Sequence, residues 1–332
     1  MTASSRATLR RVALPVSLAL SCFPALADDF AHPHDRIDVG GHRLNLTCRG
    51  SGSPTVVFES PSSEAAWAWW RVLPAVAAHT RACAYDRAGF GFSDAAQPLP
   101  TGTAAVEDLH RLLAAAKVGP PYVLVGNSLG GAYVQLFAYA HPAEVAGLVL
   151  VEPMHEDEDA RLRVASEGKV QALEAQEEQG VAACLAAADK GFVAGTPAMQ
   201  ECVVGANPAL PADVGAADLD MRLRAAWWHA AADEHHAFAA VQAQLRAARK
   251  PFGDLPLVVL VRSRSPFAAP GQPQSALNKA VEAANLAMQQ EVSRLSTRGR
   301  ARVVPDAGHE VQEDQPGAVV QAVEDVLAQV PH

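Results

Sequence analysis

Short apolar, β-branched runs alternate with stretches of helical periodicity along two parts of this chain, up to residue 151 and again from residue 255. Residues 35–39 and 42–48 flank Gly40-Gly41, a hairpin signal. Residues 54–59, 81–85, 122–125, 145–151, 255–261 and 301–304 read as further strands. Between them, 65–78, 104–117, 131–140, 274–295 and 316–330 read as helices. Strands alternating with helices predict a mostly parallel sheet covered on both faces. From 154 to 250 the strand rhythm disappears into Ala-, Glu-, Gln- and Arg-rich helical periodicity. That stretch predicts a helical insertion lying as a cap over one end of the sheet. The carboxyl ends of parallel strands are where such sheets carry their sites.

Residues 1–27 do not belong to this pattern. A basic start (Arg6, Arg10, Arg11), an apolar run over 12–20 and a small-x-small ending at Ala25-Leu26-Ala27 read as a secretory signal peptide. The apolar run is too short to span a bilayer. The mature chain is therefore expected to begin near Asp28 and to be exported, to a bacterial periplasm or beyond. Export permits disulfides, and Cys48, Cys83, Cys184 and Cys202 can pair in three ways. The formal net charge of −9 argues against nucleic acid or an anionic membrane as partner.

The chemistry concentrates at Gly126-Asn127-Ser128-Leu129-Gly130-Gly131. A strand ends there in a G-x-S-x-G turn, and a small-residue helix follows at once. Such a turn holds its serine exposed on a strained backbone that only small neighbours permit. A serine hydroxyl needs a base to take its proton, and the base needs a partner to fix its tautomer. His309 lies just after the last strand, beside Gly308, as the expected base. His235 and His236 stand with Glu234 inside the helical insertion, and a solvated helix face is expected there rather than a metal site.

These segments resemble the α/β-hydrolase fold family over essentially the whole chain after the leader. PTVVFESPSSEAAWAWWRVLP is similar to that family's third strand and oxyanion loop, and ACAYDRAGFGFSD to its fourth-strand motif. GNSLGG resembles its nucleophile elbow, and PDAGHEVQEDQP its terminal histidine motif. The resemblance implies an α/β fold: a mostly parallel eight-stranded sheet with helices on both faces and a helical cap inserted after strand 6. The core would comprise 28–153 and 251–332, and the cap 154–250. Because the family places its second and fourth strands side by side, it implies a Cys48–Cys83 bridge and leaves Cys184–Cys202.

The family's usual acid follows the seventh strand, but here Arg262-Ser263-Arg264-Ser265-Pro266 stands there, and no carboxylate appears before Glu282. Relatives that carry the acid after the sixth strand point to Glu152, with Glu156 and Asp157 as alternatives. The oxyanion donors would be the backbone N–H groups of Leu129 and Ser62; Pro61 replaces a glycine usual in the family and has no N–H. Asp86 and Arg87 are expected to brace the turn after strand 4, and Asn127, Trp227 and Trp228 to line the substrate pocket. The resemblance implies a secreted serine hydrolase that cleaves carboxylic esters, thioesters or lactones through an acyl-enzyme, with no metal or cofactor. A C–C bond hydrolase, an amidase, a cofactor-free perhydrolase and a non-catalytic binding protein are the alternatives. Epoxide hydrolases and haloalkane dehalogenases of this fold need an aspartate where Ser128 stands.

Overall fold

The computed structural model describes residues 28–268 and 273–330, so the leader read at 1–27 lies outside the described residues. Eight strands form one sheet: β1 (Asp35–Asp38), β2 (Arg43–Arg49), β3 (Thr55–Glu59), β4 (Ala82–Tyr85), β5 (Tyr122–Asn127), β6 (Val145–Val151), β7 (Leu257–Arg262) and β8 (Arg300–Val304). Their spatial order is β1-β2-β4-β3-β5-β6-β7-β8. Only β2 runs against its neighbours; β3 to β8 are parallel to one another. The central strands β3 and β5 are buried along their whole length, and β6 at every position but Ala146, because helices cover both faces.

Among the described residues, three α-helices precede the elbow: α1 (Asp28–Ala31), α2 (Leu73–Ala77) and α3 (Thr103–Ala115). The elbow itself opens α4 (Leu129–Ala140). Five helices then stand between β6 and β7: α5 (Glu158–Ala165), α6 (Lys169–Ala188), α7 (Pro197–Cys202), α8 (Ala212–Arg222) and α9 (Ala225–Ala248). The long α9 packs on both α6 and α4, so the insertion is joined directly to the elbow helix. The chain closes with α10 (Ala276–Ser293), α11 (Val311–Asp314) and α12 (Pro316–Leu327). Among the described residues, no helix is long and apolar enough to cross a membrane.

One expected element differs. The helix read over 65–78 is broken into a 3₁₀ turn at Ala66–Trp69 and the short α2. Pro74 fits only the first turn of a helix, so α2 has to begin beside it. The 3₁₀ turn is held from outside, by the Asp86 carboxylate accepting the Ala66 N–H at 2.8 Å and by the burial of Trp67 and Trp69.

The sheet register sets the heights of the chemically interesting residues. Gly126 lies opposite Glu59, and Asn127 opposite Val151. The residues that follow, Ser128 and Glu152, therefore emerge at one level on the carboxyl edge, with Ser60 one position earlier, level with Asn127.

Cys48 of β2 and Cys83 of β4 are direct partners in the register, and their sulfurs stand at bonding distance, as do those of Cys184 and Cys202. The pairs close loops of 35 and 18 residues in sequence separation. Loop closure of that size restricts the unfolded chain by about 3–4 kcal/mol per bridge. A Cys184→Ala/Cys202→Ala double variant is expected to unfold about 5 °C lower in a thermal scan. An unchanged midpoint, or unreduced peptides in which Cys48 is linked to Cys184, would refute the pairing.

Candidate active site

The elbow is built by the absence of side chains. A Cβ on Gly126 would lie 2.4 Å from the Gly130 carbonyl oxygen, and one on Gly130 only 2.5 Å from the carbonyl oxygens of both Glu59 and Ser60. Only with glycine at both positions can α4 start so close beneath β5 and against the end of β3. Ser128 sits at the apex with φ +54° and ψ −120°. A non-glycine residue held there stores about 1–3 kcal/mol of backbone strain. The neighbouring strand fixes it, with the Ser128 N–H donating to the Val151 carbonyl at 3.1 Å and the Met154 N–H donating to the Ser128 carbonyl at 3.0 Å. The side chain is half-buried. Leu129 is the first residue of α4, so its N–H has no acceptor within the helix.

Glu152 follows β6 with φ +44°, a second strained backbone one strand away. Its carboxylate is 1% exposed and fully engaged. Oε1 accepts the Arg262 backbone N–H at 2.8 Å, and Oε2 accepts Arg262 Nη1 at 2.8 Å. Asn285 Nδ2 of α10 donates to both oxygens, at 3.2 and 3.3 Å. Arg262 is held in turn by a two-pronged pair with Glu282. The arginine at the end of β7 thus occupies the place of the family's usual acid and orients the carboxylate of the neighbouring strand. Burial alone would raise the Glu152 pKa. Its contact with His309 and the Arg262 charge outweigh that and hold it below the ordinary carboxylate value.

His309 reaches this carboxylate from the loop after β8, with Nδ1 at 3.5 Å from Glu152 Oε2 and its side chain 38% exposed. The loop is pinned at several points. The Ser263 and Arg264 N–H groups donate to the Ala307 carbonyl, and the Gly308 N–H donates to Asp314. Asn127 Nδ2 donates to the His309 carbonyl at 3.3 Å and to the Val151 carbonyl at 2.9 Å. Burial works against protonating His309. Its Glu152 partner and the charges of Glu310 and Glu152 outweigh that and raise its pKa above the ordinary imidazole value. Glu156 and Asp157, the alternative acids, face elsewhere: Glu156 pairs with Arg249, and Asp157 with Arg246.

The loop after β3 carries Ser62. Arg87, itself buried at the end of β4, donates from Nη1 to Glu59 Oε1 (2.9 Å) and the Ser60 carbonyl (2.7 Å), and from Nη2 to the Pro61 carbonyl (2.7 Å). Its Nε donates to Glu234 Oε1 at 2.7 Å. Glu234 Oε2 accepts the Ser62 hydroxyl at 3.0 Å and the Ser63 N–H at 2.8 Å. Asp86 braces the turn as expected, bonding the Ala66 and Phe92 N–H groups and the Asn45 amide.

Two expectations are corrected here. Asn127 does not line a pocket: it is fully buried, and its oxygen accepts from Gln312, so its carboxamide ties the elbow to the His309 loop. Glu234 does not lie on a solvated face, being 1% exposed. It falls on the buried stripe of α9 with Ala230, Val241 and Leu245, a helical spacing that could have exposed it. Of the two tryptophans, Trp228 is buried and packs edge-on against Trp227 and Phe192. Trp227 is half-buried and donates from Nε1 to the Ser63 carbonyl at 3.2 Å. Arg262 also escaped sequence reasoning; a charged residue closing the apolar run 257–261 was its signal, since a buried cation requires a carboxylate partner.

Two His/carboxylate groups have their ligand atoms within 4.8 Å of one another: Glu107/His110/His141 and His155/Glu156/Asp157. Neither contains Ser128, Glu152 or His309. In the first, the imidazoles of His110 and His141 stack face to face at 4.0 Å, so their lone pairs do not converge. In the second, Arg246 and Arg249 already neutralise the carboxylates.

A serine at a strained strand–helix turn, a buried carboxylate and an imidazole thus share one edge of an eight-stranded α/β sheet. The chain belongs to the α/β-hydrolase family: the model described as "Alpha/beta hydrolase family" matches residues 48–322. Over 115 residues it is 39% identical to 2-hydroxy-6-oxo-2,4-heptadienoate hydrolase of Pseudomonas putida, covering 34% of this chain and 41% of that protein. The matched segments span 15% to 42% of the first three curated relatives. Among solved structures, a Pseudomonas aeruginosa protein described as an epoxide hydrolase superposes with TM-score 0.60 at 20% identity, over 87% of this chain and 93% of that one. A thermophilic esterase from Thermogutta terrifontis does so with TM-score 0.57 at 20% identity, over 90% and 98%.

Proposed function

We propose that this protein is an exported serine hydrolase that cleaves carboxylic esters, thioesters or lactones through an acyl-enzyme on Ser128. Ser128 Oγ attacks the carbonyl carbon as His309 takes its proton. The N–H groups of Leu129 and Ser62 stabilise the oxyanion. His309 then protonates the leaving oxygen or sulfur, the acyl-enzyme forms, and water activated by the same imidazole releases the acid. Glu152 fixes the histidine tautomer and stabilises the imidazolium. The observation that carries this reading is the 3.5 Å approach of Glu152 Oε2 to His309 Nδ1, with the carboxylate held by Arg262 one strand away from the strained Ser128. The division into a core (28–153 and 251–332) and a helical cap (154–250) belongs to the same proposal. So does export to the periplasm or beyond, for which the leader and the two cysteine pairs speak.

The test is hydrolysis of p-nitrophenyl esters from acetate to palmitate by the wild type and by Ser128→Ala. Turnover that vanishes in the variant is expected, with a chain-length optimum that sizes the pocket. A folded protein that turns over none of the esters while cleaving an anionic dienoate would replace this reading with the C–C hydrolase one.

A further inference from the structure

The inserted helix α9 grips the Ser62 loop from two sides. Glu234 Oε2 accepts the Ser63 N–H at 2.8 Å and the Ser62 hydroxyl at 3.0 Å, while Trp227 Nε1 donates to the Ser63 carbonyl at 3.2 Å. Ser63 lies at φ +64°, a left-handed conformation that a serine keeps only when its surroundings over-determine it. From beneath, Arg87 takes the Ser60 and Pro61 carbonyls, and Glu234 Oε1 takes Arg87 Nε. The backbone on both sides of the Ser62 amide is therefore set by one buried ion pair that joins the insertion to the core.

We propose that Glu234 is a positioning residue for the oxyanion hole, aiming the Ser62 N–H through its bonds to Ser62, Ser63 and Arg87, so that the hole is assembled only when α9 is seated on the sheet. This rests on the reading of Ser128 as nucleophile and of Ser62 as an oxyanion donor. The chemistry of the site makes the carboxylate necessary. All three partners of Glu234 are donors, and they approach both of its oxygens. Glutamine presents one acceptor and one donor, so it must abandon either Arg87 or the loop. The other carboxylate on Arg87, Glu59, cannot substitute, because its second oxygen already accepts the Tyr85 hydroxyl at 2.5 Å.

An oxyanion donor contributes about 10²–10³-fold to rate, and a misplacement of about 1 Å costs about 10²-fold. Glu234→Gln is therefore expected to lower kcat by about 10–100-fold with KM for a neutral ester within a factor of about 3. Affinity for a boronate transition-state analogue should fall in parallel with kcat. Ser62→Ala, which keeps the backbone N–H but removes the hydroxyl that Glu234 holds, should show the same pattern at smaller amplitude. Rates are normalised to folded sites by titration with a fluorophosphonate, so loss of stability alone does not mimic the effect. If Glu234→Gln keeps wild-type kcat and boronate affinity per folded site, or if KM rises with kcat unchanged, the positioning role is wrong. Should Glu234→Gln not fold, wild-type kcat and boronate affinity in Ser62→Ala overturn it. A wild type that never labels at Ser128 overturns the serine mechanism itself, a result distinct from labelling that is merely indifferent to Glu234.

Discussion

Ser128→Ala abolishes turnover, by about 10⁶-fold in kcat, and leaves the fold intact. The expected size follows from the role: without Oγ no acyl-enzyme forms, and what remains is the contribution of the oxyanion donors and of substrate binding. The fold survives because the bonds that fix this position are made by its backbone, the N–H to Val151 and the carbonyl to Met154. Alanine meets the same φ of +54° at about the same cost. The measurement is steady-state hydrolysis beside fluorophosphonate labelling and circular dichroism. A folded variant that retains more than about 1% of wild-type turnover places the nucleophile elsewhere.

Glu152→Gln lowers kcat/KM by about 10³–10⁴-fold, the scale seen when the acid of such a triad becomes an amide and the imidazole loses its fixed tautomer. It also moves the pH profile. The base must be neutral to act, so activity falls as pH drops through the His309 pKa. In the wild type that pKa is raised: burial disfavours the imidazolium, but the Glu152 contact and the Glu310 and Glu152 charges prevail. The acid limb therefore lies above the ordinary imidazole value of 6.5. Without the Glu152 charge the limb shifts to lower pH.

Glu152 has the opposite sign. Its pKa is depressed in the fold, so its contribution to stability is present above the ordinary 4.5 and is lost as pH falls through the depressed value. Arg262 keeps both bonds to Glu282 in the variant, so no buried cation is left alone. A pH series of kcat/KM on both proteins decides the matter. An acid limb at the same pH in each would mean that another carboxylate partners His309, and near-normal turnover would remove Glu152 from the mechanism.

The parts of this protein legible along the chain are those whose cause is local. Buried parallel strands must be apolar at successive positions, so 145–151 reads as a strand with the bounds the structure has. The elbow is legible because its constraints fall within six consecutive residues: Gly126, Gly130 and Gly131 are the positions where a side chain would strike backbone or Pro153. His309 is legible from its place after the last strand. The helix read over 65–78 was not, because its first turn owes its shape to Asp86 and to the burial of two tryptophans.

By itself, then, the sequence determined the α/β alternation, the strained serine turn and the histidine that follows the last strand, and left Glu152, Glu156 and Asp157 open as the acid. Covalent neighbours and the periods of helix and strand are sufficient to specify the first three. Only the tertiary structure decided what holds these groups. Arg262 is 110 residues from Glu152, and Glu234 is 147 from Arg87. No local pattern connects such pairs. They exist because parallel strands bring their carboxyl ends to one edge and α9 lies against it, and because a charge buried there is stable only beside its counter-charge.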